Sequence, residues 1–388
     1  MKQVHIAMLE PGDVLAEPIL NQRGIVMLGP GTALTEVHIN RLKKLGIKDA
    51  CIVNKEPQEK GPTAKAELQS APAAEGSHTP VPVQEIRDKW EKRREMRQAL
   101  IRLADAELGI GRPSSPQMEE PFRRMFRNTL YEITRHDGVV DGLLRLERAD
   151  PYLLEHSFHV TAYAAILGLA NGYAGAEMLE LCVGSLLFDI GMTELPAHTF
   201  SSTGSLTGAE RAAVRLHPEA GHRIISRMEG VSPRSALCAL QHHERFNGTG
   251  YPSRLKHGEI DEYAEIVAIA DTYHALISRR NYRLAYTPGE AVEYLLAAGD
   301  RYFSLDLIQT YLKHISIYPL SSVVRLSSGQ LGVVTSLETS LVHRPVVKII
   351  READGSLVSA PYEVDLMRKT DLVISGLVEE TAGETIKA

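Results

Sequence analysis

From about residue 120 to 318 the apolar positions recur at helical spacing, with loops at Gly and Pro and no convincing strand-like alternation. That pattern predicts an all-α bundle of eight or more helices. Before it, residues 1–55 alternate short apolar runs with turns. "GDVLAEPIL" and "GIVMLG" are strand candidates split by "NQRG", "TEVHINRLKKLG" reads as a helix capped by Thr35 with Gly46 just past its end, and "DACIV" resumes a strand. Residues 56–84 are rich in Pro, Ala, Gly, Ser and charge and show no apolar period, as a disordered linker does. A charged helix follows from 85 to 110, with Ile86, Trp90, Met96, Leu100 and Leu103 at roughly helical spacing and a solvated Lys/Arg face between them. After the bundle, "SSVVRLSSGQLGVVTSL", "RPVVKIIREADGSLVS" and "APYEVDL" bring β-branched runs cut by turn residues.

These changes of pattern divide the chain into six segments: a small β-rich module (1–55), a linker (56–84), a charged helix and connector (85–118), the helical domain (119–319), a small β-module (320–376) and a tail (377–388). The expected class is mainly α, a helical bundle with a small β-module at each end.

Composition alters this picture little. The 388 residues are 44% hydrophobic and 24% charged, ordinary for a soluble globular protein. A net charge of −6 gives no general attraction to nucleic acid or anionic membrane. The apolar stretch at 160–190 is broken by Asn171, Glu177 and Glu180, so no membrane span is expected. The N-terminus lacks the apolar core of a signal peptide, and Cys51, Cys182 and Cys238 stand far apart without a paired spacing. Together these features point to a cytoplasmic protein with reduced thiols.

The chemistry is concentrated in the helical region. His156 lies in "LLEHSFHVTAYAAIL", Asp189 in "SLLFDIGM", His217 in "RLHPEAGHRII", His242 and His243 in "QHHERFNGTGYP", and Asp271 in "IVAIADTYHALIS". Each sits inside an apolar helical run or at its end. A single such histidine is usually a hydrogen-bonded core residue. Four imidazoles and two carboxylates on successive helices make up the donor set of first-row divalent ions, and bundle cores build dinuclear sites by projecting such groups inward.

In order along the chain, "HSFHV", "LLFDIGMTELP", "HPEAGHRII", "HHERFNGTGYP" and "IVAIADTYHALISRRNYR" resemble the five motifs of the HD-GYP domain family, bacterial phosphodiesterases that open cyclic di-GMP. The resemblance runs from about 145 to 320. It implies the HD-superfamily helical bundle with a buried centre of one or two divalent ions, iron or manganese. Asp189 would bridge the metals and carry the catalytic role, with His217, His242 and His243 completing one site and His156 and Asp271 belonging to the other. A bridging water would attack phosphorus, giving pGpG or GMP. Arg280 and Arg283, one helical turn apart, would clamp phosphate. Gly248, Gly250, Tyr251 and Pro252 would form the turn at the pocket rim, and Glu244 would orient a ligand imidazole.

The chain also departs from the family's pattern. Phe188 stands where the family has the histidine before the bridging aspartate, and a phenyl ring offers a metal no lone pair. Met192 replaces a lysine that lies near the reacting phosphate in the family, and Asn247 replaces an aspartate of the turn. His159 and His198 are the neighbours that could fill the lost ligand position, or water could complete it. Tyr152 stands where an acidic third-metal ligand would be sought, so no trinuclear centre is expected. These losses imply a protein that keeps the fold and binds cyclic di-GMP as a sensor or adaptor, with hydrolysis weakened or lost. The alternative is an active phosphodiesterase with a mononuclear or water-completed site. A diguanylate cyclase domain docking on the Gly-Tyr-Pro turn and a homodimer are further implied partners; nucleic acid is not.

Overall fold

The computed structural model describes residues 2–17, 19–20, 26–29, 31–45, 47, 49–53, 83–107, 116–196, 207–278, 285–337 and 343–378. Nearly all of the expected linker lies outside them, as do Gly46, His198, Arg280, Arg283 and most of the expected tail. The chain divides into two compact units, Met1–Glu95 and Met96–Ala388.

In the first unit, strands β1 (Lys2–His5) and β4 (Asp49–Ile52) pair antiparallel, and β2 (Ile19–Leu20) pairs with β3 (Val26–Leu28). Helix α1 (Glu36–Lys44) begins at a reciprocal cap. The Thr35 hydroxyl accepts the His38 N–H at 3.2 Å, and His38 Nδ1 accepts the Thr35 N–H at 3.4 Å. Leu15, Leu34 and Leu42 form the buried centre of this small module. Helix α2 (Val83–Glu107) runs through the division between the units.

The second unit is built around α5 (Pro151–Ala170). Asp150 caps it by accepting the Tyr152 N–H, and Pro151 fixes its first turn. Every residue from His156 to Gly168 is buried, so this helix shows no polar face and lies at the centre of the bundle. Helices α4 (Asp137–Ala149), α6 (Gly175–Leu187), α10 (Glu262–Ile277) and α12 (Leu305–His314) pack around it. Between α6 and α10 come α7 (Gly208–Val214), α8 (His217–Ile225) and α9 (Pro233–Gln241). Helix α3 (Pro116–Ile133) covers the far side, burying Phe122, Phe126 and Leu130 with Met96, Leu100 and Ala104 of α2. Helix α11 (Pro288–Ala298) joins α10 to α12.

The C-terminal residues form an antiparallel five-stranded sheet in the order β8-β7-β6-β5-β9, with β5 at Val323–Leu326, β6 at Leu331–Ser336, β7 at Val346–Arg351, β8 at Leu357–Asp365 and β9 at Ile374–Leu377. Alternate residues Val324, Leu326, Val334, Val347 and Ile349 are buried in the same apolar cluster as Tyr273, Ile308, Tyr311 and Tyr318 of the helical region. The architecture is therefore mainly helical, with a small strand-containing module before it and a sheet after it. Among the described residues, no helix is long and apolar enough to cross a membrane.

Candidate metal centre

Three helix ends bring one cluster together. Asp189 sits where α6 gives way to a short 3-10 helix, Ile190–Glu194. His217 opens α8, and His242 and His243 directly follow α9. Gly191 allows the first two to meet: a Cβ there would lie 2.0 Å from the His217 carbonyl oxygen and 2.6 Å from the Gly221 nitrogen. Only glycine permits that approach.

Hydrogen bonds fix which imidazole nitrogens face inward. His217 Nδ1–H donates to the Val214 carbonyl at 2.7 Å, and His242 Nδ1–H donates to the Ala239 and Cys238 carbonyls at 2.9 and 3.0 Å. Each ring thereby turns its Nε2 toward the other, 3.1 Å apart. Asp189 Oδ1 lies 3.2 Å from His217 Nε2 and 3.8 Å from His242 Nε2. Ligand atoms of His217, His242 and His243 all fall within 4.8 Å of one another. Lone pairs and a carboxylate thus converge on one small volume, and the arrangement needs positive charge at its centre.

His217 is the imidazole of this set whose proton affinity the carboxylate increases. Burial would depress its pKa, but the hydrogen bond and negative charge of Asp189 raise it above the ordinary imidazole value. Burial would likewise raise the Asp189 carboxyl, yet its hydrogen bond to His217 and the neighbouring imidazoles bring it down to about 2. Burial lowers His242 to about 4 and, helped by the adjacent imidazoles, His243 well below its usual value. Neutral imidazoles beside an ionised carboxylate are the forms that bind a divalent ion, so the residues present fit a metal.

His156 and Asp271 meet separately. His156 Nε2 lies 2.9 Å from Asp271 Oδ1. Its other nitrogen, Nδ1, is 2.6 Å from Nδ1 of His274, a residue the motif comparison did not single out. Spacing alone could have revealed it, since His274 stands three residues beyond Asp271 on α10 and so shares its face. Phe188 is buried between the halves, its ring centroid 5.8 Å from His156 and 4.9 Å from His242. His159, one candidate to fill the lost ligand position, stacks on His274 at 4.5 Å, and burial lowers its pKa to about 4. Tyr152 stacks on His156 at 5.6 Å. Met192 packs against the apolar cluster behind Ile190.

The turn after His243 folds back over the cluster. Gly250 sits against the chain at Glu244 and Arg245, where a Cβ would come within 2.4 Å of backbone atoms. The Tyr251–Pro252 peptide is cis, and the Tyr251 ring stacks on His243 at 4.6 Å. Glu244 is buried directly after His243. Its two oxygens accept the N–H groups of Ser253 at 2.6 Å and Leu255 at 3.0 Å, anchoring the loop. Asn247 serves as a turn residue, its Oδ1 accepting from the Thr249 N–H and hydroxyl. Outside the turn, Arg215 lies 4.5 Å over the other face of Tyr251, and a cavity of about 430 Å³ is lined by Arg215, Gly248, Thr249, Tyr251, Pro252 and Arg254.

Comparison with known proteins agrees with this geometry. Residues 143–306 match the family described as HD domain, and residues 323–384 match a KOW domain associated with HD domain. A cyclic di-GMP phosphodiesterase of Pseudomonas aeruginosa is 32% identical over 244 residues, covering 62% of this chain and 59% of that protein. A cyclic di-GMP phosphodiesterase response regulator of Xanthomonas campestris is 33% identical over 181 residues, 45% of this chain and 47% of its own length. A 3'3'-cGAMP-specific phosphodiesterase of Vibrio cholerae is 32% identical over 160 residues, 41% and 31% of the respective chains. The chain thus spans less than two thirds of the length of each of these relatives. Over residues 143–306 the chain is similar to HD-domain proteins, among its relatives are proteins named as cyclic dinucleotide phosphodiesterases, and the Gly-Tyr-Pro turn lies beside its histidine cluster.

Proposed function

We propose that this chain binds a divalent ion and cyclic di-GMP and acts as a sensor or adaptor in which the hydrolytic reaction of its relatives is weakened or lost. One observation carries the reading. The set Asp189, His217, His242 and His243 is assembled with its lone pairs converging, while the adjoining half has a buried phenyl ring between His156 and His242. His217, His242, His243 and Asp189 would hold one ion, and His156, Asp271 and Asp189 would offer three ligands to a second. Bound there, iron or manganese supplies Lewis-acid polarisation of a phosphodiester.

Around that centre the chain's own residues bind and orient. The cavity beside Tyr251 carries Arg215 and Arg254, cations suited to phosphate, and Arg280 and Arg283 would add a clamp from the segment after α10. Met192 leaves an apolar side chain where the family's lysine would meet developing negative charge. The exposed rim of the turn is the surface on which a diguanylate cyclase domain would dock.

The second reading is an active phosphodiesterase in which water completes the ligand position that Phe188 does not supply. It is favoured by Asp271 and His156, which remain in contact at 2.9 Å despite Phe188. Anaerobic assays with Fe(II) or Mn(II) separate the two. Cyclic di-GMP is expected to bind with little turnover, and Phe188→His with Met192→Lys is expected to raise turnover at least tenfold. Ready hydrolysis to pGpG or GMP by the unaltered chain would establish the second reading instead.

A further inference from the structure

His217 and His242 fix their Nδ1 protons on backbone carbonyls. His156 does not. Its Nδ1 faces another imidazole, His274 Nδ1, at 2.6 Å, so one proton lies between the two rings. His274 Nε2 in turn lies 3.1 Å from the hydroxyl of Ser278, four residues on and the C-terminal cap of α10. At the other end, His156 Nε2 meets Asp271 Oδ1 at 2.9 Å. The His159 ring, stacked on His274, holds that ring in plane. These contacts form one continuous chain: Ser278, His274, His156, Asp271.

A chain of this kind has two self-consistent directions. In the first, the Ser278 hydroxyl donates to His274 Nε2, His274 Nδ1–H donates to His156 Nδ1, and His156 Nε2–H donates to the Asp271 carboxylate. Every donor finds an acceptor, and the last bond is charge-assisted. In the second, His156 Nδ1–H donates to His274 Nδ1 and His274 Nε2–H donates to Ser278. His156 Nε2 is then a bare lone pair facing a carboxylate, a repulsive arrangement unless a cation binds both. Each ring carries one proton in either direction, so no net charge changes.

We propose that His274 is a positioning residue for the half-site of His156 and Asp271: a divalent cation bound by these two displaces the His156 Nε2 proton to solvent, His156 Nδ1 takes the shared proton from His274, His274 Nε2 takes the Ser278 hydroxyl proton, and Ser278 recovers one from solvent, so that His156 now donates to His274 and His274 to Ser278. The inference rests on the metal-binding reading above and extends it, because occupancy of the half-site that lost its histidine is then registered at the end of α10. His274 restores the orienting partner that ligand imidazoles require, without being a ligand itself.

The test uses the full chain stripped with chelator and titrated with zinc(II) alone, a diamagnetic probe. Imidazole nitrogen NMR should show His156 as the Nε2–H form and His274 as the Nδ1–H form before metal, with both exchanged afterwards. Calorimetry should resolve two binding events. His274→Phe keeps the stack on His159 but removes the acceptor, and should weaken one event by about 10–100-fold. His274→Asn, whose amide oxygen can accept the same proton, should recover most of that loss. Ser278→Ala should weaken the same event by a smaller factor, giving a second route if His274→Phe fails to fold. An unchanged His274 tautomer on zinc binding, or unchanged affinities in His274→Phe, overturns the relay while leaving metal binding at His217, His242 and His243 intact. Absence of any zinc binding by the unaltered chain overturns both readings.

Discussion

At the scale of single residues, the site sets burial against charge, and the balance differs from one imidazole to the next. For His242, His243 and His159 burial outweighs the neighbouring charges, so their pKa values fall, to about 4 for His242 and His159. In the unfolded chain the same imidazoles titrate at about 6.5. Between those values the unfolded chain binds more protons than the folded one, so stability falls as pH falls. His217 works in the opposite sense. Its raised pKa contributes stability that is complete below about 6.5 and fades as pH rises through the folded value. Asp189, depressed to about 2, contributes above its unfolded value and loses that contribution only as pH drops toward 2. The metal-free protein should therefore lose urea resistance from pH 6.5 down to 4, at up to about 1.4 kcal/mol per pH unit for each depressed imidazole. His159→Phe preserves the stack and removes one of three contributors. Its urea midpoint should fall less steeply over that window, by roughly a third, and an unchanged slope would count against the assignment.

At the scale of elements, the sequence announced most helices because their amphipathic spacing and caps are local properties. Asp150 before Pro151, Thr207 and Thr287 with glutamates three residues on, and Ser304 all cap as their types suggest. Helix α5 was legible as helix from its apolar density, and its burial on all sides follows from the same composition. What sequence could not supply was how elements approach. The turn's return path brings the Ser253 and Leu255 amides onto the Glu244 carboxylate, a contact that no local pattern announces. His274 is no letter of the motif that contains Asp271, although it lies one turn further along the same helix. Gly191 read as one letter of a motif, whereas its function is the contact of the 3-10 helix with α8. Gly191→Ala should push those elements apart, costing about 1–3 kcal/mol of stability. It should also separate Asp189 from His217 and weaken zinc binding at the His217–His242–His243 set, without touching a proposed ligand. Retained affinity in a destabilised Gly191→Ala protein would show that the ligand cluster tolerates the displacement.

At the scale of the second unit, the C-terminal sheet shares a core with the helices that carry half of the site. Val324, Leu326, Val334, Val347 and Ile349 are buried in the apolar cluster that holds Ile266, Ile269 and Tyr273 of α10, and α10 presents Asp271 and His274 from its other positions. A sheet that merely followed the bundle would melt by itself. A sheet whose inner face completes the bundle's core must melt with it, because removing a methyl group from that face leaves a void against helical side chains. Ile349→Ala separates these possibilities. Ile349 lies on β7, far along the chain from any helix of the site, and its side chain is fully buried. The substitution should cost about 2–5 kcal/mol. Ellipticity at the helical wavelength reports mainly on α3 to α12, so its transition should move to lower temperature by the full amount and stay coincident with the near-ultraviolet tyrosine signal, to which Tyr273, Tyr311 and Tyr318 of the shared core contribute. A helical transition that stayed in place while the sheet melted early would mean that the apolar cluster does not couple the two, and that the support of the histidine cluster ends at the helices themselves.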